Sequence, residues 1–224
     1  MRKRLYTLLL IILLPACIAT PKTPPRESQG PTYFDSVTIE LVYTERGKPS
    51  DAALKFLTTN LKTLNIASQI IIVRRQVVYP PIVPWTTSLI KEFEKKHRLI
   101  IDQDPENRHL KLFIAYLPDF YLQGTRNNIA GLQYEDSSFA VFIGKIKRKH
   151  EGSVLLHEFG HIIGLVARDS REGAPVNPDR PSHCNDTKCV MFWRIPGEDA
   201  AFDDACLGDL RSSISDRNPV ISTP

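Results

Sequence analysis

The segment that decides the fold reads SVLLHEFGHIIG and occupies residues 153–164. Its apolar residues recur at helical spacing and predict a helix with one buried stripe, formed by Val154, Leu155, Phe159 and Ile162. His157 and His161 are four residues apart, so a helix presents both imidazoles on one face. Glu158 lies between them in the sequence and can point toward the open position of an ion that both histidines bind.

This H-E-x-x-H pattern supplies the groups that zinc-dependent hydrolysis requires. Imidazole nitrogens bind zinc, and the ion lowers the pKa of its bound water to about 7. A carboxylate beside the ion, here Glu158, can accept the proton of that water. The alternative is that His157 and His161 have a purely structural role. Gly160, in the middle of the helix, costs about 1 kcal/mol relative to alanine, so we expect another group to approach the backbone closely there.

A third ligand is expected from beyond the end of this helix. Gly164 tolerates the left-handed backbone conformation that ends a helix and turns the chain back. The next histidine is His183, in the sequence HCNDTKCVM of residues 183–191. This segment resembles the archaemetzincins of the metzincin clan of zinc metalloproteases. In that family the third zinc histidine is followed by cysteine, four residues, cysteine, one residue and methionine.

The chain departs from the compact metzincin pattern in one respect. That pattern places a histidine three residues after the glycine, but the position holds Ala167. Residues 165–182 intervene before His183, and their aspartate and proline content predicts a loop. Closing this longer loop costs only about 2 kcal/mol more, whereas zinc binding contributes about 10 kcal/mol. The insertion is therefore compatible with His183 as a ligand.

The resemblance implies a role for each residue of the motif. His157, His161 and His183 would hold a catalytic zinc ion, and Glu158 would act as general base and then as proton donor to the leaving amine. Met191 would form the hydrophobic floor under the histidines, in the Met-turn. The implied activity is that of a zinc metallopeptidase, a hydrolase acting on a peptide or protein substrate.

Two other functions stay open. A zinc hydrolase of thermolysin-like architecture would take Glu198, on a predicted last helix, as its third ligand. A surface lipoprotein without enzymatic activity would keep zinc only for folding.

The remaining cysteines can form either a disulfide or a metal site. In archaemetzincins a Cys-x-x-Cys follows the Met-turn, and four cysteines bind a second, structural zinc ion. Here only Cys206 follows, and Asp209 occupies the place of its partner. Cys184, Cys189 and Cys206 would then form either one disulfide with one remaining thiol, which an oxidising compartment favours, or a structural zinc site together with Asp209.

Periodicity elsewhere predicts an α/β (α+β) domain over residues 34–217, with a twisted mixed sheet flanked by helices and a tail at 218–224. Strands are predicted at 36–43, 70–78, 110–117 and 139–143, and helices at 51–64, 85–97 and 198–213. The resemblance implies a metzincin-like zincin domain with an active-site helix, a Met-turn and a C-terminal helix. It also implies that the strand at 137–144 forms the upper rim of the cleft and pairs with the substrate.

The N-terminal sequence predicts that the protein is exported. Three basic residues precede a short apolar run, and this pattern is typical of a signal peptide, here residues 1–16. Residues 14–17 read LPAC and resemble a bacterial lipobox, so we expect a lipoprotein anchored through Cys17 to a membrane of the cell envelope. The proline-rich residues 17–33 would tether the domain. The alternative is cleavage after Ala19, which gives a soluble secreted or periplasmic protein.

Composition excludes several classes of protein. Of the 224 residues, 42% are hydrophobic and 24% charged, which is too apolar for a disordered chain. The net charge of +4 includes three basic residues of the predicted signal peptide, so the mature chain is almost neutral. We therefore expect no nucleic-acid partner, and we expect a monomer.

Overall fold

The computed structural model describes most of the chain between residues 32 and 217. The predicted signal peptide, Cys17 and the tail lie outside the described residues, as does the tether before residue 32, so these stay predictions. Within the described part, none of the helices combines the length and the apolar character needed to cross a membrane. The described ranges are 32–79, 84–101, 108–122, 129–166, 176–178, 180–195, 197–198 and 200–217.

Five strands form one mixed sheet, in the spatial order β2-β1-β3-β5-β4. Four of these strands are parallel, and β4 is antiparallel to β5. The mixed sheet with flanking helices that the sequence predicts is confirmed. The sheet strands are β1 (Phe34–Tyr43), β2 (Ala67–Gln76), β3 (His109–Leu117), β4 (Gly131–Glu135) and β5 (Ser138–Phe142), and a short hairpin joins β6 (Val176–Asn177) to β7 (Arg180–Cys184). The helices are α1 (Asp51–Thr63), α2 (Thr87–His97), α3 (Glu151–Ile162) and α4 (Asp204–Arg217).

Helices cover both faces of the sheet. On one face Leu57 of α1 and Phe159 of α3 are fully buried against Ile39 of β1. On the other face Phe93 of α2 packs in a second cluster with Phe113 of β3. Because β3 is covered on both sides, its sequence is an almost continuous apolar run, as expected for a buried parallel strand.

The edge of the sheet nearest the active-site helix differs from the sequence prediction. Strand β5, which contains most of the predicted rim strand 137–144, lies between β3 and β4 and is hydrogen-bonded on both sides. It therefore has no edge for a substrate, and that prediction is wrong. The edge strand is β4, whose sequence GLQYE alternates Leu132 and Tyr134 with polar residues but is too short for this alternation alone to predict a strand.

The C-terminal helix begins six residues later than predicted, at Asp204. The preceding chain is extended, and the Val190 amide donates to the Ala201 carbonyl at 2.7 Å. Asp203 then caps the helix, because its Oδ1 accepts the Cys206 amide at 2.7 Å. Pairing of residue 201 with the Met-turn thus replaces the first turns of the predicted helix.

Candidate metal centres

The active-site helix α3 is anchored at its N-terminus by a buried carboxylate. Glu151 is only 1% exposed, and it accepts the backbone amide of Ser50 at 2.9 Å and the guanidinium of Arg148 at 3.2 Å. Ser50 in turn caps α1 by accepting the Ala53 amide. One carboxylate therefore lies beside the first turns of two helices, where negative charge is favoured, and it fixes α3 against α1.

The structure brings His157, His161 and His183 together. One nitrogen from each ring lies within 4.8 Å of the others, and the ring centroids are 4.8 to 5.3 Å apart. The Nε2 atoms of His157 and His161 are 3.1 Å apart. Two nitrogens bound to one zinc ion at tetrahedral angles would be about 3.3 Å apart. The three donors therefore fit a single zinc ion, with one position left for water or substrate.

His183 reaches this cluster through a bend in β7. Ser182, just before it, has a φ of 73°, in the left-handed region that residues other than glycine seldom adopt. Just after it, the Cys184 amide donates to the Met191 carbonyl at 2.9 Å. The end of the insertion is therefore joined directly to the Met-turn.

A hydrogen bond fixes the orientation of His157. Its Nδ1 lies 2.6 Å from the carbonyl oxygen of Val190. A carbonyl only accepts, so Nδ1 carries the proton and Nε2 keeps its lone pair for a metal. The residue that orients this ligand is the neighbour of Met191, so the Met-turn and the active-site helix are positioned together.

Burial keeps the three imidazoles neutral. It lowers the pKa of His157 to about 4, holds the pKa of His161 well below its usual value and lowers that of His183. A neutral imidazole is the form that binds a metal. Burial also raises the pKa of Glu158 to about 8. A hydrogen bond from the backbone amide of Gln133 has the opposite, smaller effect. A cation bound by the histidines would favour the charged carboxylate.

The edge strand β4 passes directly over Glu158. A Cβ atom on Gly131 would lie 2.4 Å from Oε1 of this glutamate, so only glycine leaves room for the carboxylate. The backbone amide of Gln133, two residues further on, donates to the same carboxylate. The sequence motif identifies neither Gly131 nor Gln133, because their place above α3 depends on the pairing of β4 with β5.

Met191 is fully buried and packs on the middle of α3. A Cβ atom on Gly160 would lie only 2.3 Å from its Sδ atom. The close approach to Gly160 that the sequence predicts is therefore confirmed, and the approaching group is the methionine of the Met-turn.

A second group of metal-binding side chains lies behind the Met-turn. Its members are Cys184, Cys189, Cys206 and Asp203, and the ligand atoms of these four residues lie within 4.8 Å of one another. The three cysteines are free thiols. The Sγ atoms of Cys189 and Cys206 are 3.7 Å apart, well beyond a disulfide bond of about 2.05 Å. Two sulfurs on one zinc ion would be about 3.8 Å apart.

The fourth member of this cysteine cluster is Asp203, whereas the resemblance predicts Asp209. The prediction is corrected because Asp203 caps α4, and this places its carboxylate beside the first turn, where Cys206 lies. Its Oδ2 is 3.1 Å from the sulfur of Cys184. A hydrogen bond from Cys206 lowers the pKa of Cys189 to about 7, which favours the thiolate that binds metals.

Glu198, the third ligand of the thermolysin-like alternative, is not brought to the histidines. Its carboxylate forms an ion pair with Lys149 at 2.5 Å, and its side chain is half exposed. The structure assembles His183, and not Glu198, with His157 and His161.

Neither a protein-family model nor a curated protein sequence matches the chain. The fold, however, is similar to that of archaemetzincin from Methanopyrus kandleri, with a TM-score of 0.54 and 14% identity, over 81% of this chain and 97% of that one. It is also similar to metalloproteinase-II from Bacteroides fragilis, with a TM-score of 0.52 and 13% identity, over 82% of this chain. The match spans only 54% of that protein. The archaemetzincin-like zincin fold is thus confirmed.

Proposed function

We propose that this chain is a zinc-dependent metallopeptidase. The observation that carries the proposal is the convergence of His157, His161 and His183 on one point, with Glu158 buried beside them. Three neutral nitrogen donors with an open fourth position are the ligand set of catalytic rather than structural zinc sites. The names of the solved structures with this fold, an archaemetzincin and a metalloproteinase, support the same activity.

In this proposal each side chain has a defined role. When bound, zinc polarises the carbonyl of the scissile bond and makes a water molecule more acidic. Glu158 accepts the proton of the attacking water and then delivers it to the nitrogen of the leaving amine. The Gln133 amide and the narrow space under Gly131 keep its carboxylate in place.

The edge strand β4 is the surface we propose for substrate binding. Among the described strands β4 has one neighbour, β5, so its other edge can pair with an extended peptide. Because β4 lies directly over Glu158, a peptide added at this edge would run along the side of the cleft that contains the glutamate.

Removal of zinc should reversibly abolish activity. We expect the purified chain to hydrolyse members of a diverse peptide library, to lose this activity after treatment with a chelator and to regain it with stoichiometric Zn²⁺. Fluorescence-quenched peptides and mass spectrometry of the products measure the cleavage. Activity that survives in chelated, metal-free protein would contradict the proposal. Zinc-loaded protein that cleaves nothing would favour the alternative of a binding protein that keeps zinc for folding.

We also propose that the cysteine cluster holds a second, structural zinc ion. The sulfur separation fits a metal, and four ligand atoms surround one point. We expect two zinc ions per chain by elemental analysis, and one in Cys206→Ser. Asp209→Asn should keep both ions, because Asp209 is not a member of the cluster. One zinc ion in all three proteins, with a disulfide found by mass spectrometry, would contradict this proposal.

A further inference from the structure

Two arginine side chains near the histidine cluster both stack on the ring of the same tryptophan. The guanidinium carbon of Arg194 lies 4.1 Å from the ring centroid of Trp193, and that of Arg180 lies 5.0 Å from it. Both arginines are exposed, and Trp193 is 37% exposed. Stacking on an indole restricts the guanidinium without using its N–H donors. Both guanidinium groups are therefore held against the same indole ring with their donors available.

This cationic pair, defined as Arg180 and Arg194, lies beside the proposed reaction centre. Phe192, next to Trp193, forms a β-bridge with Cys184, the neighbour of His183. Arg180 belongs to the same short strand as His183, and its charge lowers the pKa of that imidazole in addition to the main effect of burial. Trp193 is two residues from Met191. The pair thus flanks the cluster on the side of the Met-turn.

The arginines that the structure describes fall into two groups according to whether they form an ion pair. Among the described residues, neither Arg180 nor Arg194 forms an ion pair, whereas five other arginines each pair with a carboxylate. An anion that binds near this tryptophan is attracted by both positive charges. The five paired arginines are Arg74, Arg75, Arg98, Arg108 and Arg148.

We propose that Arg180 and Arg194 form a subsite that binds a carboxylate of the peptide substrate. The proposal rests on the proposed peptidase function and adds a substrate class to it. A guanidinium binds a carboxylate through two parallel hydrogen bonds, and a second positive charge nearby adds to the attraction. The carboxylate is either an aspartate or glutamate side chain near the scissile bond or the C-terminal carboxylate of the peptide. Arg180 belongs to the insertion that separates this chain from the compact metzincin pattern, so the selectivity is a property of this chain.

Matched peptides test the proposal with the native protein. A susceptible peptide is made with Glu or Gln at each position around the scissile bond, and with a C-terminal acid or amide. We expect kcat/KM to be about tenfold higher for the charged member of at least one pair. A preference for Glu over Gln identifies a side-chain carboxylate, and a preference for the acid over the amide identifies the terminal one. Equal rates within every pair would overturn the proposal.

Variants then assign the preference to the pair. In Arg180→Gln/Arg194→Gln the preference should disappear, while the rate on the uncharged peptide and the zinc content stay close to those of the native protein. Arg74→Gln, on the opposite edge strand β2, is the matched control and should keep the preference. A preference that survives in the double variant would also overturn the proposal. Failure to cleave any peptide would instead count against the peptidase function itself.

Discussion

Replacing Glu158 with glutamine is expected to abolish peptide hydrolysis while zinc stays bound. Glutamine has the shape of glutamate but cannot accept the proton of the attacking water. General acid–base groups contribute about 10²- to 10⁴-fold to the rate, so kcat should fall by about that factor. The metal should remain because its proposed ligands, His157, His161 and His183, are unchanged. Steady-state kinetics and elemental analysis of the same preparation measure the two effects.

The same variant should be at least as stable as the native protein when both are free of metal, because at neutral pH glutamine avoids the proton uptake that burial of Glu158 requires. Burial raises the pKa of Glu158 to about 8, so the folded, metal-free protein favours its neutral carboxyl, which glutamine resembles. The Gln133 amide can donate to the glutamine oxygen as it does to the carboxylate. A thermal unfolding midpoint at or above the native value would therefore separate loss of catalysis from loss of structure. Glu198→Gln, a half-exposed glutamate paired with Lys149, is the matched control and should keep full activity. Native-like turnover by Glu158→Gln would contradict the proposed general base.

The sequence predicted those helices and strands whose own residue pattern is sufficient to identify them. Helix α3 follows the apolar spacing around His157, and α1 ends within one residue of the predicted range 51–64. The edge strand β4 was not found in this way, because alternation over only four residues is a weak signal and the strand is stabilised by its pairing with β5. The late start of α4 has a similar cause, since Ala201 pairs with the Met-turn residue Val190, 11 positions earlier in the chain.

The residues of the candidate site also divide into those that local sequence predicts and those that depend on tertiary structure. His157, Glu158 and His161 are fixed by helical spacing alone, and for this reason a motif finds them. His183 depended on the resemblance, because 18 residues of insertion separate it from Gly164. Asp203 was missed because the spacing of the archaemetzincin motif points to Asp209, three residues after Cys206. In the structure the carboxylate comes instead from the helix cap, three residues before Cys206. An aspartate that caps a helix, three residues before a cysteine in its first turn, is the signal that could have found it.

Replacing His183 with alanine is expected to remove the catalytic zinc ion and all measurable activity. Only two nitrogen donors would then remain in the cluster, both from α3. The rest of β7 should stay in place, because the Cys184 amide still donates to Met191 and its sulfur lies in the cysteine cluster. The loss is therefore local, and zinc content should fall from two ions per chain to one.

The control for this experiment is Glu198→Ala. If Glu198 were the third ligand, as in a thermolysin-like enzyme, this variant would lose the ion and His183→Ala would keep it. We expect the opposite, because the Glu198 carboxylate pairs with Lys149 at the surface, whereas His183 is half-buried between the Met-turn and α3. Elemental analysis of both variants beside the native protein decides between the two ligand sets without reference to any substrate. A zinc content that is unchanged in His183→Ala would show that the convergence of the three histidines is not a metal site.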